Sequence, residues 1–300
     1  MICVKDLFFR YPGKRHDLLR GIELKIKKGS ITGLIGINGS GKTTLFQILL
    51  GILRAEQGLI EIAGYPLAKL PKELVGFLPE RPYYHGNFTL KEYLYYLGKI
   101  SSRQVKEEEL EQIIATVDLA GYCNQYIRSF SKGMLQRVGL AQTLLHQPEL
   151  IIMDEITSGL DPIGQNQLKE IVLRIKQSGT TVLISSHHLA QIEQICDQIC
   201  LLHNGKTRTL TQEYFKIKNR YQLILEGKEE ELKEKLQHLS THDKLVLNKN
   251  RLTFEFSNAQ EYFDILSCLL KAKIKIINMQ ANYATLEEIV LKYLAEEGDG

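Results

Sequence analysis

The chain has 300 residues, 44% of them hydrophobic, and 38 basic against 35 acidic side chains, for a formal net charge of +3. So small an excess excludes a general electrostatic pull toward nucleic acid or an anionic membrane surface, while the length allows one substantial core and a smaller second one. Five scattered cysteines, Cys3, Cys123, Cys196, Cys200 and Cys268, lack the paired spacing of a zinc site and read as reduced thiols.

Met1 to Asp6 has neither the basic start nor the apolar core of a secretory signal. No run approaches the ~20 apolar residues that cross a bilayer, so any membrane role is expected through a partner. Residues 2–9 and 22–26 read as strands, the second from the alternation of Ile22, Leu24 and Ile26. Between them, Tyr11 reads equally as a stacking platform for a purine and as a half-buried strand end.

An apolar strand, Ile31 to Ile35, then leads into Gly36-Ile37-Asn38-Gly39-Ser40-Gly41-Lys42-Thr43, and a helix runs on to Leu50. Glycines let such a loop curl until its N–H groups converge, and the helix adds the positive end of its dipole. Lys42 is then placed for the β- and γ-phosphates of a nucleotide and Thr43 for Mg²⁺.

Strands follow at Leu59 to Ile62 and Val75 to Leu78, the latter ending in Pro79-Glu80. Residues 89–147 read as a helical insert, opened by the capping-box pattern Thr89-Leu90-Lys91-Glu92 and carrying Leu110, Ile113, Ile114 and Val117 at helical spacing. Its last helix starts at Ser131, a residue suited to cap a helix amino terminus.

Leu150-Ile151-Ile152-Met153 has the all-apolar character of a central parallel strand, and Asp154-Glu155 stands at its carboxyl end, where such sheets place ligands. Asp154 is the natural Mg²⁺ partner and Glu155 the residue to polarise an attacking water. Asp161-Pro162 suits the start of the next helix, and Gly179 its end. Thr181 to Ser185 is another buried strand, after which His187 stands level with the two acids and in reach of a phosphate.

Ile199 to Leu202 and the Asn204-Gly205 turn read as a closing hairpin, and residues 216–220 as a charged linker. Beyond it the order of elements is βαββαβ, a split ferredoxin-like unit over residues 219–300, with a last helix from Leu286 to Ala295 packing back on it. That unit carries no catalytic cluster; it reads as a regulatory or dimer-bracing domain or as a packing appendage.

Residues 1–218 resemble the nucleotide-binding subunit of an ATP-binding cassette (ABC) transporter. The resemblance rests on residues 36–43 as Walker A, residues 150–155 as Walker B, Ser158-Gly159-Leu160-Asp161 as the D-loop and His187 as the switch histidine. Phe130-Ser131-Lys132-Gly133-Met134 stands at the signature motif, departing from Leu-Ser-Gly-Gly-Gln at Lys132 and Met134. Glu80 replaces the Q-loop glutamine, and Ile156 the proline that commonly follows the catalytic glutamate. These departures look like the ABC-2 branch, mostly exporters.

The resemblance implies an α/β P-loop cassette with a mixed sheet core, an antiparallel β subdomain and a helical subdomain. It implies ATP and Mg²⁺ as ligands and Lys42, Glu155 and His187 as catalytic residues. Tyr11, residues 36–43, Thr44, Glu80, Ser131, Gly133 and Asp161 are assigned to the nucleotide, and Thr43, Asp154 and Glu80 to the metal. Two copies would clamp two ATP molecules head to tail and drive a separate integral membrane permease from its cytoplasmic face, with export as the expected direction and no nucleic acid involved. Ribosome-acting relatives usually carry two cassettes and DNA-repair relatives a long coiled coil, whereas this chain has a single Walker A and no sustained heptads. A mechanical or maturation role on an extracytoplasmic protein is the other reading the resemblance allows.

Overall fold

The computed structural model describes residues 1–101, 105–186, 189–211, 219–236, 245–256 and 259–281, together with Leu286 and Val290. The chain divides into two compact units, Met1–Leu210 and Thr211–Gly300. The linker at 216–220 and the switch-histidine position, His187, fall wholly or partly outside the described residues.

The strands of the first unit are β1 (Ile2–Phe9), β2 (Leu19–Ile26), β3 (Ile31–Ile35), β4 (Gln57–Ile62), β5 (Tyr65–Pro66), β6 (Val75–Leu78), β7 (Leu150–Met153), β8 (Thr181–Ser185), β9 (Gln198–His203) and β10 (Lys206–Thr211). Its helices are α1 (Lys42–Leu49), α2 (Leu90–Ile100), α3 (Glu107–Thr116), α4 (Lys132–Leu144), α5 (Pro162–Gln177) and α6 (Leu189–Ile195).

An antiparallel sheet in the order β2-β1-β4-β5 packs its buried faces with α1 into one core, in which Leu7, Leu19, Ile22, Phe46 and Ile48 are fully enclosed. Strand β2 starts three residues before the expected Ile22, because its pairing with β1 shifts register: Leu7 lies opposite Ile22, and Phe8 opposite Arg20. Gly21, at φ +70°, takes up the irregularity. Leu19 and Ile22 therefore share the buried side, although even alternation would put them on opposite faces.

The larger sheet has the order β10-β9-β3-β8-β7-β6, with β9, β3, β8, β7 and β6 parallel. Strands β3, β7 and β8 are buried along their whole lengths, as strands covered on both faces must be, which is why they lack polar alternation. Strand β8 lies between β3 and β7, so three carboxyl ends meet at one edge.

The helical insert starts on a capping box: Thr89 Oγ1 accepts from the Glu92 N–H, and the Glu92 carboxylate accepts from the Thr89 N–H at 2.8 Å. Ser131 caps α4 by accepting from the Met134 N–H, and Asp161 caps α5 by accepting from the Gly164 N–H at 2.7 Å. Leu168, Ile171, Val172 and Ile175 form the buried face of α5.

The second unit comprises β11 (Asn219–Leu225), α7 (Glu229–Leu236), β12 (Leu245–Asn248), β13 (Arg251–Phe256), α8 (Ala259–Lys271) and β14 (Ile276–Ala281). Its strand order is β12-β13-β11-β14, with every pair antiparallel. That is the arrangement of a split βαββαβ unit, packed around Leu223, Leu225, Leu252, Phe254, Ile265 and Leu269. The last strand begins at Ile276 rather than Ile274, because Lys273 at φ +52° turns the chain and Ile274 is spent as a buried anchor. Of the expected helix from Leu286 to Ala295, only Leu286 and Val290 are described.

Candidate active site

The glycine-rich loop leaves the carboxyl end of β3 and closes on α1. Gly39 and Gly41 sit at φ +82° and +104°, a region that L side chains seldom adopt. A methyl group at Gly36 would lie 2.5 Å from the Leu202 carbonyl, and one at Gly41 would lie 2.9 Å from Leu19 Cδ2. Gly41 caps α1 without a side-chain hydrogen bond, so the first amides of that helix are left for another acceptor. Lys42 is buried in the curl, with Nζ donating to the Gly36 carbonyl at 2.8 Å and lying 3.8 Å from Glu155 Oε1.

Across the sheet edge, Asp154 and Glu155 leave β7. Asp154 is 4% exposed, and its two oxygens take different partners: Oδ2 accepts from Thr43 Oγ1 at 2.8 Å and Oδ1 from Ser185 Oγ at 2.6 Å. The Glu155 N–H donates to the same Ser185 Oγ at 2.9 Å. Glu155 has φ +49°, which turns its side chain back toward Lys42. A carboxylate this enclosed is tolerated because donors satisfy it. Loop, lysine, threonine and both acids thus form one cluster, joined by hydrogen bonds and by the Lys42–Glu155 ion pair.

The donor set fits a hard cation. Mg²⁺ is held by one or two protein oxygens and completes its shell with phosphate and water oxygens. Thr43 and Asp154 supply two such oxygens at one point, and the described residues contain no cluster of three or more His, Cys, Asp or Glu that would make a full protein cage.

Tyr11 follows the end of β1, partly buried, and is tied to α1. Its hydroxyl shares a 3.0 Å hydrogen bond with Thr44 Oγ1 on α1, and its ring meets Phe9 edge-on at 4.9 Å between centroids. A cavity of about 370 Å³ beside the glycine-rich loop is lined by Leu18, Arg20, residues 37–40 and Asn204.

Glu80 does not join the cluster. Its carboxylate is 45% exposed and lies 3.8 Å from Arg81 Nε, with no hydrogen bond to Thr43 or Asp154 among the described residues. The loop is instead held through its main chain, the Glu80 carbonyl accepting from Gln136 Nε2 of α4 at 3.4 Å. Ser131 and Gly133 are likewise outside the cluster, on the first turn of α4. That turn faces the D-loop of the same chain, where a methyl at Gly159 would run into the Lys132 ammonium and one at Gly133 would come within 3.8 Å of Leu160. Asp161 is engaged as the α5 cap.

Two residues of this region have no role in the sequence reading: Ser185, and Gln136, which is 2% exposed on α4. A signal for Ser185 existed, since it is the one polar residue at the carboxyl end of an otherwise apolar run, Val182-Leu183-Ile184. Of the five cysteines, Cys196 and Cys200 are buried. Burial pushes the Cys200 thiol up to about 12 and raises that of Cys196 as well, leaving neither reactive at neutral pH.

A sequence profile described as "ABC transporter" matches residues 19–158. An uncharacterized ABC transporter ATP-binding protein of Synechocystis is 36% identical over 297 residues, covering 96% of this chain and 81% of the relative. The bacitracin transport ATP-binding protein BcrA of Bacillus licheniformis is 32% identical over 282 residues, 91% of each chain. A solved structure described as an ATP-binding subunit of an ABC transporter superposes with a TM-score of 0.62 at 31% identity, covering 71% of this chain and 90% of the other. With the glycine loop, the paired acids and the mixed sheet all present in one cluster, this chain belongs to the ATP-binding subunits of ABC transporters, which are ATPases.

Proposed function

We propose that the chain binds MgATP at the β3–β7–β8 edge, closes on a second copy of itself, and uses the hydrolysis cycle to drive an exporting membrane permease. One observation carries this reading: the Lys42–Glu155 ion pair and the Thr43–Asp154 hydrogen bond bring a cation suited to phosphate, an oxygen pair suited to a metal and a carboxylate suited to act as base close together.

In this scheme the loop amides and the α1 terminus receive the β- and γ-phosphates, and Lys42 exchanges its carbonyl partner for them. Mg²⁺, held by Thr43 and Asp154, would neutralise phosphate charge as it develops. Glu155 orients a water whose oxygen bonds to the γ-phosphorus while the bond to the β–γ bridging oxygen breaks. The water's proton passes to Glu155, and ADP and phosphate leave. His187, level with this edge in the sequence, is assigned to the γ-phosphate. Tyr11, fixed beside α1 by Thr44, stacks on the base.

Ser131 and Gly133 serve the nucleotide of the second copy. Their turn is away from this chain's own cluster, so they reach a γ-phosphate only across an interface. ATP therefore favours the closed pair and ADP does not, because only the triphosphate makes contacts with both subunits. Glu80 and the helical insert pass the motion on; the Gln136 link ties the Glu80 loop to α4, the last helix of that insert.

In this reading the permease is a separate chain on whose cytoplasmic face this subunit sits; no described helix is itself long and apolar enough to cross a membrane. Export is supported by the relatives named for bacitracin transport and for linearmycin resistance, the latter 28% identical over 293 residues.

The test is Glu155→Gln. It should bind ATP, accumulate as a closed dimer on gel filtration, and lose about 10²–10⁴-fold in turnover, the usual contribution of a positioned base. Normal hydrolysis by that variant would overturn the assignment.

A further inference from the structure

We propose that Ser185 is the positioning residue that sets both acids of this site: it orients Asp154 toward the metal and locks the backbone of Glu155 in the turn that aims its carboxylate. The inference rests on the reading of Asp154 and Glu155 given above and extends it to a residue on the intervening strand.

A serine hydroxyl has one proton to give and lone pairs to receive. Ser185 uses both sides: it donates to Asp154 Oδ1 at 2.6 Å and accepts the Glu155 N–H at 2.9 Å. Both partners directly follow β7, while Ser185 closes β8, whose neighbours in the sheet are β3 and β7. Leu34 pairs with Ser185, and Met153 with Ile184, so the register brings the hydroxyl level with the point where β7 turns into Asp154-Glu155. The group is fully buried, which excludes water as a substitute partner without repacking.

The consequences for the two acids differ. With Oδ1 occupied by Ser185, Asp154 turns Oδ2 to Thr43, and Thr43, having given its proton to Oδ2, keeps its lone pairs for a cation. Glu155 is a non-glycine residue at φ +49°, a conformation that persists only where the surroundings hold it. The Ser185–Glu155 bond is such a hold, and it acts on the backbone, one step removed from the carboxylate that lies 3.8 Å from Lys42. One hydroxyl thereby couples the metal-binding oxygen pair to the base.

Three variants in the full chain test this: Ser185→Ala, Ser185→Cys, which fills the space with a somewhat larger group that bonds weakly, and Ser185→Thr, which retains the hydroxyl. The first readout is fluorescent trinitrophenyl-ATP binding in EDTA, then during titration with MgCl₂. Alanine and cysteine variants should bind the nucleotide without metal within about twofold of wild type, yet need about 10–100-fold more Mg²⁺ to reach the same tightening, the usual cost of losing an outer-shell partner. Their kcat should fall by about 10–100-fold at saturating Mg²⁺ with KM little changed, and threonine should recover most of both losses. Thermal melts exclude trivial unfolding; should alanine fail to fold, the cysteine and threonine pair decides.

A cysteine variant with wild-type Mg²⁺ response and turnover would show that Ser185 merely fills space and would overturn the proposal, as would an alanine variant indistinguishable from wild type. Wild type and Glu155→Gln run alongside separate this failure from that of the underlying reading. If hydrolysis by wild type needs no Mg²⁺, or Glu155→Gln turns over normally, the site assignment itself has failed whatever Ser185 does.

Discussion

The amino termini of α1 and α4 are both proposed to meet a phosphate, and they are built in opposite ways. The α1 end starts from a glycine at φ +104° that offers no side chain, and Lys42 and Thr44 of its first turn are each 7% exposed, with Thr43 between them open to the surface. The α4 end is capped by its own Ser131, which accepts from the Met134 N–H, and that turn stands at the surface. An uncapped terminus leaves its amides for an anion drawn into the fold, while a self-capped one stays formed without a ligand and can be offered to something outside. In the proposed scheme one half of the site is enclosed by the chain and the other half is presented by it.

The largest expected effect falls on the enclosed half. Lys42→Ala should weaken ATP binding by about 10–100-fold, the worth of a charged hydrogen bond, measured by fluorescent-nucleotide titration of the isolated subunit. Unchanged affinity would remove the argument for the cradle and with it the contrast.

A smaller and differently placed loss is expected at the presented half. Ser131→Ala removes a helix cap worth about 1 kcal/mol, so the protein should melt a few degrees lower while the single subunit keeps its ATP affinity. In the Glu155→Gln background, the same change should reduce ATP-dependent dimer formation on gel filtration. If the double variant dimerises as readily as Glu155→Gln alone, the α4 terminus is not the outer half of the site.

The smallest effect concerns the other end of α4, where His146 follows the helix. Burial holds its imidazole below the usual histidine range, so the fold favours the neutral form. The unfolded chain takes up that proton as pH falls through about 6.5, whereas the folded chain resists it. The stability is thus present above that pH and is lost as pH drops below it. Melting temperatures at pH 7.5 and 5.5 should fall less far apart in His146→Gln than in wild type, and an equal drop in both would dismiss His146 as the source.

Much of this was legible before any coordinates. The phosphate loop, the acids after β7, and the caps at Thr89, Ser131 and Asp161 are written locally, because glycine freedom, side-chain capping and apolar runs act within a few residues. The βαββαβ order of the second unit was readable for the same reason. Where reading fell short, distant contacts had intervened. The start of β2 was hidden because a register shift against β1 broke the alternation, and no local pattern records a pairing partner. Glu80 stands at the expected place in sequence, but Arg81 and α4 hold its loop with the carboxylate turned to solvent.

The sequence by itself determined which residues carry charge, curl or cap, and so which chemistry this chain performs. Only the tertiary structure decided that Ser185 would stand between the two acids, because strand order is a long-range choice: β8 follows β7 by some thirty residues along the chain, yet inserts between β7 and β3 in the sheet. Hydrogen bonds across that gap depend on register, and register is set by the packing of whole strands rather than by any residue in them.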